Sequence, residues 1–228
     1  MGGGERQEIA ARRTRLPAAE RREQILRIAR ELFIAEGFER ASMRRIAERA
    51  GITPTAIYDH FADKEALMAA IGEEFFDGLI EALSTVPDAT PDPLDRLKML
   101  LEGYVRYGLA RPREYRLVFM TPLEGLGRIT GHRLPRDGTP PECLGGTMKG
   151  AISFAVLEGE IGMLMERGVL RPGDKEAVAD VVWMMGHGLV SLLITHPGFE
   201  WTPLDTVIRT SIDTLLHGIV ADLPPRHP

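Results

Sequence analysis

Six side chains between residues 44 and 64 carry the donors that phosphates and base edges accept: Arg44, Arg45, Thr55, Tyr58, His60 and Lys64. Guanidinium, hydroxyl, imidazole and ammonium groups at close spacing suit an anionic partner rather than bond-breaking chemistry. Arg44 and Arg45 stand at the start of an expected short helix, where free backbone N–H groups and the helix dipole also favour an anion. Thr55, Tyr58 and His60 fall on the outward side of "GITPTAIYDHF" if Ile52, Ile57 and Phe61 face a core. The same arginines also suit a plainly solvated helix surface.

Three helices must hold these groups in place. "AAERREQILRIARELFIAEGF" sets Ile25, Ile28, Ala29, Leu32 and Phe33 at spacings of three and four, with Gly37 as the stop. Ser42 caps a helix of about eight residues, "MRRIAERAG", ended by Gly51. Thr53 caps a third short helix whose first position suits Pro54, and Asp63 caps a fourth that runs from Lys64 to about Leu83. Two short helices joined by a glycine turn, with a longer helix before them, make a helix-turn-helix, whose second helix fits a major groove about 12 Å wide.

The 228 residues suit a small module joined to a larger one. Residues 1–70 carry 13 basic and 11 acidic side chains against 15 and 22 in the remainder, so a basic module precedes an acidic body despite a net charge of −5. The expected organisation is an arm over 1–17, a helix-turn-helix unit over 18–66, and a helical unit over 67–228. Beyond "STVPDATPDP" the pattern predicts a helix through "LDRLKMLLEGYVRYGLA", a short "PREYRLVFM", and a long loop over 121–142. Helices follow over roughly 143–168, 174–195 and 203–223. No strand-like alternation appears, and the fold class is all-α.

Several sharper chemistries fail on spacing. The six histidines are dispersed, with no pair at metal-binding helix spacing, so no metal and no cofactor are expected. Glu158 and Glu160 are two apart and point to different sides of a helix, which argues against paired acid–base work. "GLGRITG" and "GGTMKG" miss the fingerprints of nucleotide loops. Catalysis is not expected. One cysteine, no secretory segment and no run of eighteen apolar residues fit a reducing, cytoplasmic setting without a membrane partner.

The run from Arg21 to Ile71 closely resembles the DNA-binding domain of TetR-family transcriptional regulators. The resemblance rests on the helix ending "EGF", on "SMRRIAERAG", on "TAIYDHF" and on "DKEAL". It implies that Ser42, Arg44, Thr53, Thr55, Tyr58, His60 and Lys64 contact double-stranded operator DNA. Asp59 departs from the longer or basic residue common in the family there. It further implies a C-terminal helical domain that binds a small effector and forms a homodimer through its last two long helices. "YVRYGLARPREYRLVF" and "WMMGHGL" resemble the subgroup with a Trp…His-Gly signature.

Tyr104, Tyr107, Phe119, Phe154, Met163, Met184 and His187 fit a mostly apolar effector pocket with a few polar groups, though such residues equally serve as plain core. The nearly all-apolar stretch 178–194, with Gly186 and Gly188, and a stripe of Ile208, Ile212, Leu215 and Ile219 suit a four-helix interface between two copies. The leading expectation is a ligand-responsive repressor on a palindromic operator. A non-sequence-specific architectural DNA-binding protein, and a helical enzyme or binding module with a vestigial helix-turn-helix, remain as other classes.

Overall fold

The computed structural model describes residues 16–86, 90, 92–121 and 148–220. The expected arm, the expected loop over 121–142 and the expected helix ends at 143–147 and 221–223 lie wholly or almost wholly outside them. Eight helices are present among the described residues: α1 (Ala18–Glu36), α2 (Met43–Ala50), α3 (Lys64–Ser84), α4 (Pro93–Ala110), α5 (Pro112–Met120), α6 (Met148–Glu166), α7 (Lys175–Thr195) and α8 (Leu204–Ile219). The same residues contain no strand, only an isolated bridge between Leu170 and Val220, so the fold is all-α as expected. Two compact units divide between Leu67 and Met68, and α3 contributes residues to both.

In the first unit, α1 buries Ile25, Leu26, Ile28, Ala29, Leu32 and Phe33. Gly37 at φ 87 ends it in a conformation that side chains resist, and Phe38 turns back onto Phe33 with ring centroids 5.2 Å apart. The Ser42 hydroxyl accepts from the Arg45 N–H at 3.3 Å, and left-handed Gly51 closes α2.

The next segment differs from expectation: residues 54–60 form a run of turns rather than a regular α-helix. The N–H groups of Ala56, Tyr58 and His60 reach the carbonyls of Thr53, Thr55 and Ile57, three residues back, at 3.1, 3.2 and 3.0 Å. Such tight bonding is common in short pieces. Pro54 lacks an N–H, and the segment is too short for helix propagation to repay its nucleation. The ends are fixed instead by side chains: the Thr53 hydroxyl accepts from the Ala56 N–H at 3.1 Å, and Asp63 accepts from the Ala66 N–H at 2.6 Å. Ile57 and Phe61 are buried as expected, while Ile52 is half-buried.

The second unit packs around Phe75, Leu97, Tyr115, Ile161, Leu170 and Val182. Asp92 caps α4 by accepting from the Leu94 N–H at 2.8 Å, and Asp174 caps α7 by accepting from Glu176 and Ala177. The start of α6 is held by α3: the Lys149 N–H donates to Glu73 at 3.2 Å, and the Lys149 ammonium pairs with Asp77. Gly108 lets α4 pass close to α5 and α7, since a Cβ there would lie 2.9 Å from both the Tyr115 ring and Val190.

Helix α7 separates into two faces. Ala179, Val182, Gly186, Val190 and Ile194 are buried, while Val181, Met184 and Leu192 are exposed. Its length and mean hydropathy of 1.7 would suffice to cross a membrane, but that test is also met by helices of soluble bundles. The α8 stripe expected at an interface turns inward within the single chain. Ile208 and Ile212 are buried in the unit's own core, with Leu215 and Ile219 packed against it, because α8 must cover α4 and α7 before it can offer anything outward.

Candidate functional site

The donor groups of the first unit divide by how firmly they are held. Thr55 and Tyr58 are exposed, Tyr58 at 55%, and His60 is half-buried. Ser42 and Thr53 use their oxygens as backbone caps, which leaves each O–H free to donate outward. Arg44 is exposed and pairs with Glu48 at 3.0 Å along α2, an interaction weak enough to yield to a stronger anion. Arg45 is more constrained, since its guanidinium grips the Glu36 carboxylate at the end of α1 through two bonds. Lys64 donates to the Phe38 carbonyl at 2.8 Å and lies 4.2 Å over the Phe38 ring. Its ammonium fastens the start of α3 to the α1–α2 link and keeps further donors for an outside acceptor.

Sequence reasoning missed the arginines that brace this surface from behind. Arg22 of α1 donates to the His60 carbonyl at 2.5 Å and stacks 3.9 Å over the Phe61 ring. Arg21 donates to the Ala50 carbonyl at 3.1 Å, at the end of α2. Their position at the polar edge of α1 was visible in the sequence, but the long-range carbonyls they meet were not.

The second unit contains an apolar cavity of about 100 Å³, walled by α3, α4, α5, α6 and α7. Of the seven expected effector residues, Tyr104, Phe119 and Phe154 line it. The others lie elsewhere for identifiable reasons. Tyr107 is buried and donates to the Phe75 carbonyl at 2.9 Å, Met163 is half-buried away from the wall, and Met184 is 61% exposed on the outer face of α7. His187 stands behind the wall, joined to it through Tyr115. Gly186 admits Tyr104 to the wall, since a Cβ there would sit 3.2 Å from its ring.

A hydrogen-bonded chain runs from the wall into the core. The Tyr104 and Tyr115 hydroxyls are 2.8 Å apart, Tyr115 is 2.8 Å from His187 Nδ1, and His187 Nε2 is 3.2 Å from Ser191. Trp183 also hydrogen-bonds Tyr104, and an indole N–H can only donate. One order of donation runs Trp183 to Tyr104, Tyr104 to Tyr115, Tyr115 to Nδ1 and Nε2–H to Ser191; beyond Tyr104 the reverse order, with the other imidazole tautomer, makes the same contacts. Either order can be made by a neutral imidazole. Burial supplies this by lowering the His187 pKa, and it also pushes Tyr104 up to about 12 and Tyr115 upward.

Sequence reasoning also missed Glu160, Trp183 and Ser153 in the wall. Glu160 and Glu158 do point to different environments, as their spacing predicts. What the spacing did not reveal is that Glu160 is 9% exposed and meets Arg96 of α4 at 2.7 Å. Among the described residues no cluster of His, Cys, Asp or Glu has the form of a metal site.

Helices α1 and α2 followed by a turn segment with outward donors, and a separate helical unit lining an apolar cavity, make an all-α chain of two units. Residues 25–71 match the bacterial regulatory proteins of the tetR family, and residues 97–219, more than half of the chain, match the tetracyclin repressor-like C-terminal domain. The chain belongs to the TetR family.

It is similar to the transcriptional activator FasR of Mycolicibacterium smegmatis, with 34% identity over 47% of this chain and 49% of that protein. Similarity to the transcriptional repressor KstR2 of Mycobacterium tuberculosis reaches 35% identity over 35% of this chain and 40% of that protein. The matched region thus spans half or less of these curated relatives. A solved regulatory protein of the tetR family from Rhodococcus RHA1 shares the fold, with a TM-score of 0.65 at 21% identity, covering 92% of this chain and 100% of that one.

Proposed function

We propose that the chain is a ligand-responsive transcriptional repressor that works in the cytoplasm as a homodimer on a palindromic operator, and that a small apolar effector releases it. The observation that carries this reading is the exposed Thr55–Tyr58 surface, held on a backbone that Arg21, Arg22, Thr53 and Lys64 brace from behind. Ser42, Arg44, Thr53, Thr55, Tyr58, His60 and Lys64 are assigned to DNA contact. Arg45 is assigned to it only secondarily, because Glu36 already holds its guanidinium.

Dimerisation is assigned to the outer face of α7. Val181, Met184 and Leu192 form an exposed apolar stripe at helical spacing, and Gly188 lies in the same row with nothing within 4 Å of its Cβ position. Two operator half-sites must lie about one helical turn apart, ~34 Å, or a multiple of it. Helix α3 carries Lys64 at its first residue and Phe76 and Leu79 in the cavity wall, so a ligand that displaces it changes the separation of the two recognition segments.

A gel-shift against the DNA flanking the chain's own gene tests the reading. A shift resisted by unrelated competitor DNA is expected, whereas equal affinity for all duplexes indicates an architectural role and no affinity a different activity altogether. FasR is an activator and KstR2 a repressor, so the sign of regulation is read separately from a reporter fused to that DNA.

A further inference from the structure

Each of the five helices that wall the cavity brings one aromatic ring to it: Phe76 from α3, Tyr104 from α4, Phe119 from α5, Phe154 from α6 and Trp183 from α7. Five of its sixteen lining residues are therefore aromatic, against fourteen of the 228 in the chain. Helix α8, which does not reach the wall, brings only aliphatic side chains to the same core, among them Ile208, Ile212 and Leu216. The rings are gathered where the space is.

They already meet edge to face. Phe76 and Phe119 have centroids 5.7 Å apart at 84°, Phe154 and Trp183 lie 6.2 Å apart at 83°, and Phe119 and Trp183, 6.5 Å apart, join the two pairs. A further ring among them extends the pattern by setting its edge against one face and its face against another edge, a gain that a saturated molecule of equal size lacks. The volume, about 100 Å³, is of the order of the roughly 150 Å³ apolar cavity that takes up benzene.

Aromatic walls also attract cations, and the charge balance decides between the two. Glu160, the one charged lining residue among those described, already has the Arg96 guanidinium at 2.7 Å. An added cation would bury a surplus positive charge, whereas a neutral ring brings none. We infer that the cavity recognises its effector through a single neutral aromatic ring, held by edge-to-face contact with the rings of the wall. This rests on the assignment of the cavity as the effector site.

Trp183 in the wall reports occupancy, and Trp201→Phe removes the only other tryptophan signal. In that background, toluene, methylcyclohexane and tetramethylammonium are titrated in sealed cells, following both fluorescence and the melting temperature. Toluene is expected to bind at least as tightly as methylcyclohexane, although the saturated ring is the more hydrophobic, and at least about tenfold tighter than the cation. Phe154→Leu keeps apolar bulk and removes one ring, so it is expected to lower the ratio of toluene to methylcyclohexane affinity about two- to twelvefold.

A ratio unchanged in Phe154→Leu, or tetramethylammonium binding as tightly as toluene, overturns the aromatic assignment and leaves the effector cavity standing. If that variant does not fold, Phe119→Leu, at a less buried ring of the same wall, is measured in its place by the same criterion. Silence from all three probes in both signals overturns the effector cavity itself, and the aromatic assignment with it.

Discussion

The surface proposed to contact DNA and the cavity are built by opposite strategies. In the first unit, caps and turns between residues three or four apart set the backbone, longer contacts from Arg21, Arg22 and Lys64 brace it, and Thr55 and Tyr58 stay exposed. In the second, five helices contribute to one wall, and nearly every polar group is bound to another. A surface that must exchange water for phosphate keeps its donors loose, whereas a cavity that selects a ligand fixes its polar groups in advance.

The largest expected effect breaks the support of the loose surface. Phe61→Ala removes a buried ring beneath the turn segment and is expected to cost about 3–5 kcal/mol of unfolding free energy, measured by denaturant titration. Operator binding should be lost along with it, although Phe61 itself points inward. Unchanged stability would mean that the segment is not anchored through this ring.

That difference in construction also decides how much could be read from the sequence. Ser42, Gly51, Thr53 and Asp63 act on residues three or four positions away, so these caps and turns were legible, and the exposure of Thr55 and Tyr58 with them. The regular helix expected over 54–61 was not formed, because hydrophobic spacing does not distinguish an α-helix from successive tight turns in so short a piece. In the cavity, Tyr104, Phe119 and Phe154 were found by residue type, while Tyr107, Met163 and Met184 satisfied the same description and serve elsewhere. Glu160 was overlooked because its partner, Arg96, is 64 residues away on another helix, a distance that local periodicity does not span.

The second effect tests the fixed side of the comparison. Tyr115→Phe removes the central hydroxyl between Tyr104 and His187 and is expected to cost about 1–3 kcal/mol in thermal or denaturant unfolding. Operator affinity of the ligand-free protein should stay within about twofold, since the change leaves the groups proposed to contact DNA untouched. Tyr58→Ala is the reverse case. An exposed side chain is removed, so the melting temperature should hold while operator affinity falls about tenfold, measured by fluorescence anisotropy.

The smallest effect is a dependence on pH that should belong to the chain of polar groups alone. His187 is neutral in the folded state with a lowered pKa, so the unfolded chain binds more protons as pH falls through about 6.5. Stability is therefore full above that value and declines below it, by at most about 1.4 kcal/mol per pH unit. His187→Gln should flatten the acid limb. At the alkaline end, Tyr104 is pushed up to about 12, so stability should decline as pH rises from the ordinary tyrosine value toward it.

The most direct measurement is an anisotropy titration of the protein, with and without Tyr58→Ala, against the DNA flanking its own gene and a scrambled duplex of equal length, at several salt concentrations. Tighter binding to the flanking DNA, affinity that falls as salt rises, and a loss of that preference in Tyr58→Ala are expected. Equal affinity for the two duplexes, or binding indifferent to salt and to Tyr58, would contradict operator recognition by this surface.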